Sequence, residues 1–194
     1  MHVRLEPEAE LELGWWSPDP RGVIPLDGLV VSRSLRRSLR RYTVSVDTAF
    51  DAVVAGCADR SRSGGWITEE VETAYRRLHG LGWAHSVEVW DPAGALVGGL
   101  YGLCVGGLFA GESMFFRVPN ASKVAFAHLV AQLDLIGTVL IDAQVPNPFT
   151  TQLGAVTMRR AHYLELLRSA VKVHSRYEGT LWPATPPPLS GLRG

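Results

Sequence analysis

The chain has 194 residues, 46% of them apolar, with 20 glycines, 12 prolines and a formal net charge of zero. That size and composition suit one core-bearing domain of α/β or α+β type. Balanced charge argues against a general nucleic-acid binder, and no run approaches the ~18 apolar residues of a membrane span. The start, Met1 to Glu6, lacks the apolar stretch of a signal peptide, and Cys57 and Cys104 make neither a metal spacing nor a disulfide framework. Composition therefore points to the cytoplasm.

Residues 1–14 carry no clear pattern. Trp15-Trp16-Ser17-Pro18-Asp19-Pro20-Arg21 follows, and its two prolines predict a rigid extended turn. Val23 to Val31 reads as a strand region interrupted at Asp27-Gly28. Arg33, Arg36, Arg37, Arg40 and Arg41 then fall within nine residues. Leu35 and Leu39 lie four apart, so a short helix would dock through them and turn the arginines outward. Such a face is either a solvated surface or a contact for phosphate oxygens, which guanidinium forks match. A strand is expected over Tyr42–Val46, a helix over 49–58 and a polar loop over Arg60–Gly65.

Thr68 is the expected cap of a helix with Glu69 and Glu70 in its first turn and an apolar face of Val71, Ala74, Tyr75 and Leu78. Two strands, His85–Trp90 and Ala95–Gly102, flank Asp91-Pro92-Ala93-Gly94 and read as a hairpin. A third strand spans Leu108 to Phe115. Asn120 is placed as the cap of a helix running to Ile136, with Val124, Ala127, His128, Ala131 and Leu135 on one face and Gly137 closing it. A strand through Asp142, a short helix ending near Gly154 and a helix over Arg159–Val173 follow. The last stretch, with Pro183, Pro186, Pro187 and Pro188, is expected to be disordered.

Two polar interruptions of apolar strands stand out. One is Gly111-Glu112-Ser113-Met114-Phe115; the other is Leu140-Ile141-Asp142-Ala143-Gln144-Val145. Alternation puts Leu140, Asp142 and Gln144 on one face. Burying such groups is costly without partners, so they form either a satisfied core network or a site. His85 and His128 stand apart from matching carboxylates and read as structural.

A meander, a helix, a strand and a further helix resemble the GNAT acyltransferase order: an α/β (α+β) fold with a mixed, mostly antiparallel sheet flanked by helices. Arg117-Val118-Pro119-Asn120-Ala121-Ser122-Lys123 stands where that fold grips a pyrophosphate, without the glycines that would let backbone approach it. Acetyl-CoA is not expected.

The motifs at 15–21, Ser32-Arg33-Ser34, Gly65-Trp66-Ile67-Thr68, 74–79, Ala84 to Trp90, Leu96 to Gly102, 111–115, Asn120 to Lys123 and Leu140 to Val145 come in order. Together they resemble the leucyl/phenylalanyl-tRNA–protein transferase family over roughly residues 15 to 170. The resemblance implies transfer of Leu, Phe or Met from its tRNA to the N-terminal Arg or Lys of an acceptor protein, marking it for degradation, with no cofactor and no metal. It implies a catalytic set of Glu112, Asp142 and Gln144, with Asp142 polarising Gln144. It implies Trp66 and Tyr75 at the 3′-terminal adenosine, although Trp66 alone also reads as a core aromatic at a helix start. Asn147, three residues beyond Gln144, is a candidate contact to the same nucleotide or else a turn former, and Leu100, Leu129 and Ile141 are candidates for the amino-acid side-chain pocket or else plain core. The five arginines would meet the tRNA backbone. Family members carry some dozens of residues before the Trp-Trp segment, and here fourteen precede Trp15. The expected organisation is a truncated N-terminal segment over 1–22, a GNAT-like aminoacyltransferase domain over 23–174 and the Pro-rich tail over 175–194. Two alternatives stay open: the same donor with a small-molecule or peptide acceptor, and a non-catalytic RNA- or peptide-binding homologue.

Overall fold

The computed structural model of the protein describes residues 16–29, 31–59 and 66–189. The readings of residues 1–14, Trp15, Arg60–Gly65 and the last five residues lie outside them. In chain order the elements are β1 (Arg21–Ile24), α1 (Arg33–Leu39), β2 (Thr43–Val46), α2 (Phe50–Cys57), α3 (Glu69–Gly80), β3 (Ala84–Trp90), β4 (Leu96–Val105), β5 (Leu108–Phe116), α4 (Ala121–Ile136), β6 (Leu140–Gln144), α5 (Pro148–Gln152), β7 (Val156–Met158) and α6 (Arg160–Ala170). The sheet has seven strands in the order β2-β3-β4-β5-β6-β1-β7. Every pairing is antiparallel except β5–β6, which needs a crossover, and α4 supplies it.

Local chemistry accounts for most boundaries. The Ser32 hydroxyl accepts the Leu35 N–H at 3.2 Å and the Thr68 hydroxyl accepts that of Val71 at 3.4 Å, so α1 and α3 begin at side-chain caps. In the β3–β4 turn, Asp91 Oδ1 accepts the N–H groups of Ala93 and Ala95, both at 2.9 Å. Gly137, at φ 84°, ends α4 in the left-handed region that glycine enters without penalty. Asn120 departs from expectation: it is itself left-handed and makes no cap, and its Nδ2 donates to Ser38 Oγ at 3.2 Å, tying α1 to α4. The buried surface of α4 is also broader than one stripe. Ala121, Val124, Ala125, Phe126, Leu129, Val130 and Leu133 are all buried, whereas Leu135 is exposed. A helix lying across the sheet's middle contacts core on most of its circumference.

The sheet carries cores on both faces. On one, α1 and α4 pack over Val87, Val89, Leu100, Phe109 and Ile141. On the other, α2 and α3 bring Phe50, Val53, Val71 and Tyr75 against Ala84, Tyr101 and Phe115, and α6 sets Tyr163 against Val23, Leu108 and Leu140. Phe109 and Phe115 thus face opposite sides of β5, although six residues of strict alternation would leave them on the same side. The register explains this. Tyr101 pairs with Ser113 but Gly102 pairs with Gly111, which leaves Glu112 as the extra residue of a β-bulge. A second irregularity lies on β6, where Gly22 pairs with Gln144 and Val23 with Asp142, leaving Ala143 over.

The Pro-rich tail corrects the expectation of disorder over its described part. Trp182 is buried and stacks on His85 with ring centroids 4.0 Å apart. Its backbone N–H donates to Asp47 Oδ2 at 2.9 Å, and Val46 donates to the Ala184 carbonyl at 2.9 Å. One large aromatic anchors a segment that its prolines keep extended. The strand β7 was also not anticipated from the sequence; it is three residues long and pairs only at the sheet edge with β1. Among the described residues no helix is long and apolar enough to cross a membrane.

Candidate active site

The parallel pairing of β5 and β6 ends at Ala110 and Asp142. Past that point the strands separate, and the Glu112 bulge on one faces Gln144 on the other. The Gln144 carboxamide bridges the gap: Nε2 donates to the Gly111 carbonyl at 2.8 Å and to Glu112 Oε2 at 3.3 Å. Both neighbours are acceptors, so the NH₂ group must point at them, and the carboxamide oxygen is left to accept. Gln144 itself sits at φ 59°, a conformation costly for a residue with a side chain. The two polar interruptions therefore meet because two strand irregularities bring them together.

Burial pushes the Glu112 carboxyl above the usual carboxylate range, against the pull of hydrogen bonds from Tyr75 and Gln144. Beside the pair lies a cavity of ≈ 210 Å³, lined by Leu100, Phe109, Phe126, Leu129 and Ile141 among others and rimmed by Glu112, Gln144 and Asn147. Leu100, Leu129 and Ile141, from three different elements, all line it. The arrangement places an apolar socket next to a half-buried carboxyl group and an amide acceptor.

Asp142 is not disposed as the sequence led one to expect. Its carboxylate does not touch the Gln144 carboxamide. Oδ1 accepts the Arg21 Nε–H at 2.9 Å and the Gln144 backbone N–H at 2.8 Å; Oδ2 accepts from Arg21 Nη2 at 2.5 Å and from the Tyr163 hydroxyl at 2.7 Å. The physical reason is burial: a carboxylate at 1% exposure requires a counter-charge and several donors. Burial and the bond to Asp142 hold the Tyr163 phenol well above its ordinary range, so it remains a donor. Arg21 and Tyr163 were not singled out from the sequence. Arg21 ends the Trp-Trp-Ser-Pro-Asp-Pro-Arg segment, and the need of a buried Asp for a cation is the signal that points to it; Tyr163 carried no local signal.

The adenosine set divides. Tyr75 is 6% exposed and makes an edge contact with Tyr101 at 5.1 Å, so its ring is not open to a base. Trp66 packs partly exposed on the same cluster, on the α2–α3 side. Asn147 sits at the cavity rim, and its Oδ1 caps α5 by accepting from Phe149 at 3.0 Å and Thr150 at 2.9 Å. Arg33, Arg36, Arg37, Arg40 and Arg41 are all exposed around α1, with Leu35 buried and Leu39 packed beneath. His85 bonds Asp47 at 2.7 Å, and burial lowers His128 to about 4, which leaves it neutral near pH 7.

The family profile for leucyl/phenylalanyl-tRNA protein transferase matches residues 23–168. Leucyl/phenylalanyl-tRNA–protein transferase of Syntrophotalea carbinolica is 51% identical over 80% of this chain and 70% of its own length. The Pseudoalteromonas atlantica protein of the same name is 49% identical, covering 81% and 69%, and that of Pseudomonas fluorescens SBW25 is 54% identical, covering 79% and 70%. Among solved structures, a GCN5-related N-acetyltransferase from Kribbella flavida aligns with TM-score 0.46 and 13% identity over 72% of this chain and 54% of its own. With a profile match across most of the domain and half of all aligned residues shared with these relatives, the chain belongs to the leucyl/phenylalanyl-tRNA protein transferase family.

Proposed function

We propose that this protein transfers Leu, Phe or Met from its tRNA to the N-terminal Arg or Lys of an acceptor protein. The observation that carries the reading is the apolar cavity opening beside the Glu112–Gln144 pair. An aminoacyl ester is already activated, so the protein must hold it, place an amine and manage a proton. The apolar side chain sits against Leu100, Leu129 and Ile141. The acceptor's neutral α-amine attacks the ester carbonyl carbon, a C–N bond forms, the C–O bond to the ribose breaks, and the 3′ hydroxyl leaves with a proton lost by the amine. Gln144 Oε1 accepts an N–H of that amine and orients it, and the Glu112 carboxylate holds the positive charge nearby. Trp66 and Asn147 lie along the path of the terminal adenosine, and an indole face suits a base at ~1–3 kcal/mol.

The arginines of α1 give the tRNA backbone a row of outward guanidinium groups. The donor locates the reaction in the cytoplasm, where aminoacyl-tRNA is made and used. Radiolabelled Leu-tRNA and Phe-tRNA, incubated with a protein bearing N-terminal Arg or Lys, should pass label to that protein. Label that leaves the tRNA only when a metabolite extract is added would place the acceptor among small molecules instead.

A further inference from the structure

Asp142 has four donor contacts, and one of them, the Gln144 backbone N–H, leads to the reacting end of the site. Gln144 holds a left-handed backbone at φ 59°, immediately after an irregularity in β6. A strained residue persists only where its surroundings over-determine it. Here the restraint is visible: Oδ1 of Asp142 grips the Gln144 N–H at 2.8 Å while Gly111 and Glu112 grip the carboxamide. Asp142 in turn is clamped by a two-pronged Arg21 contact and by Tyr163, and the Arg21 guanidinium lies over the Tyr163 ring at 4.8 Å.

The clamp extends into the Trp-Trp-Ser-Pro-Asp-Pro-Arg segment. Asp19 Oδ1 accepts the Arg160 N–H at 3.1 Å at the start of α6, whose own N-cap residue, Arg159, offers no side-chain cap. The Ser17 carbonyl accepts from Arg160 Nη1 at 2.8 Å. This segment thus seats α6, α6 presents Tyr163, and Arg21 and Tyr163 together aim Asp142.

We infer that Arg21 and Tyr163 are positioning residues, which act through Asp142 to lock the Gln144 backbone in the conformation that directs its carboxamide at the acceptor amine. The inference rests on the transferase reading above. In this arrangement Asp142 contributes a hydrogen-bond acceptor of fixed position, and its negative charge balances Arg21 rather than acting on the amine.

Three variants and two readouts test this. Tyr163→Phe removes one hydroxyl and leaves the packing in place. Exchange of the Gln144 amide proton, followed by NMR, should accelerate at least about tenfold, because the acceptor that protects it is loosened. Its kcat for Phe transfer to an Arg-terminated peptide should fall about tenfold, with KM for Phe-tRNA within about threefold. The pair Arg21→Gln/Asp142→Asn keeps an acceptor at position 142 and removes both charges together. It should recover most of the kcat that Asp142→Asn loses alone, since that single variant leaves a half-buried guanidinium without its counter-ion. Unchanged amide exchange in Tyr163→Phe overturns the inference. So does a double variant as inactive as Asp142→Asn, which would show that the charge serves the chemistry. Absence of transfer by the unaltered protein would defeat the transferase reading instead, and the exchange measurement would still decide the clamp.

Discussion

Glu112 owes its state to its place as the extra residue of a bulge, where burial disfavours its charge and Gln144 donates to its carboxyl group. Its pKa lies above the ordinary 4.5 in the folded protein, so folding binds a proton that the unfolded chain releases. That stabilisation is complete below the unfolded value and is lost as pH rises through the folded one. Glu112→Gln should therefore melt at a higher temperature than the unaltered protein near pH 7, and the difference should shrink to nothing below about pH 4, the unfolded carboxylate range. The same variant should bind the cationic acceptor more weakly, seen as a raised KM for an Arg-terminated peptide. Equal melting at both pH values would mean that the carboxylate is not strained by burial. At Gln144 the backbone is the strained part. Gln144→Gly should melt higher than Gln144→Ala by up to about 1 kcal/mol of stability, because only glycine enters φ 59° freely, although both lose the carboxamide.

Among the elements, α1 is short, and its leucines hold it while its arginines face water. Replacing Arg36, Arg37, Arg40 and Arg41 with Ala should leave the melting temperature almost unchanged, since exposed substitutions away from contacts cost within about 0.5 kcal/mol. Affinity for tRNA should drop, and the slope of log affinity against log salt should flatten by about 0.7–0.9 for each phosphate contact removed. Transfer from a short aminoacyl-adenosine donor, which lacks the backbone, should change much less. Comparable losses with both donors would assign the cluster to the fold instead. For α6, Asp19→Ala removes the remote cap at Arg160 and should cost about 1 kcal/mol of stability by denaturant titration.

At the scale of the whole molecule, the C-terminal segment behaves as a strap across β2 and β3. Trp182 is 4% exposed and joins the main core beside Phe109 at 6.1 Å between ring centroids. Trp182→Ala should cost about 3–5 kcal/mol, as large aromatic truncations in cores do, read as a shift in the denaturant midpoint. A loss below about 0.5 kcal/mol, typical of a surface site, would show that the strap is not part of the cooperative unit.

Much of this protein was legible in its residues because the signals are local. The Thr68 cap, the glycine after α4, the Asp91–Gly94 turn and the apolar periodicities each act within a few residues, and the elements formed where they predict. Glu112, Asp142 and Gln144 were visible for a similar reason: a polar group inside an apolar strand needs partners. What the chain could not reveal by itself was which partners. Alternation placed Asp142 and Gln144 side by side on one face, and the irregularity at Ala143 broke that pattern, turning one toward Arg21 and Tyr163 and the other toward Glu112. The bond from Gln144 to Glu112 and the docking of Trp182 on His85 join residues tens of positions apart, and the bulge at Glu112 is a matter of hairpin register. Such contacts depend on strand register and on which faces meet across the sheet, and only the folded arrangement decides them.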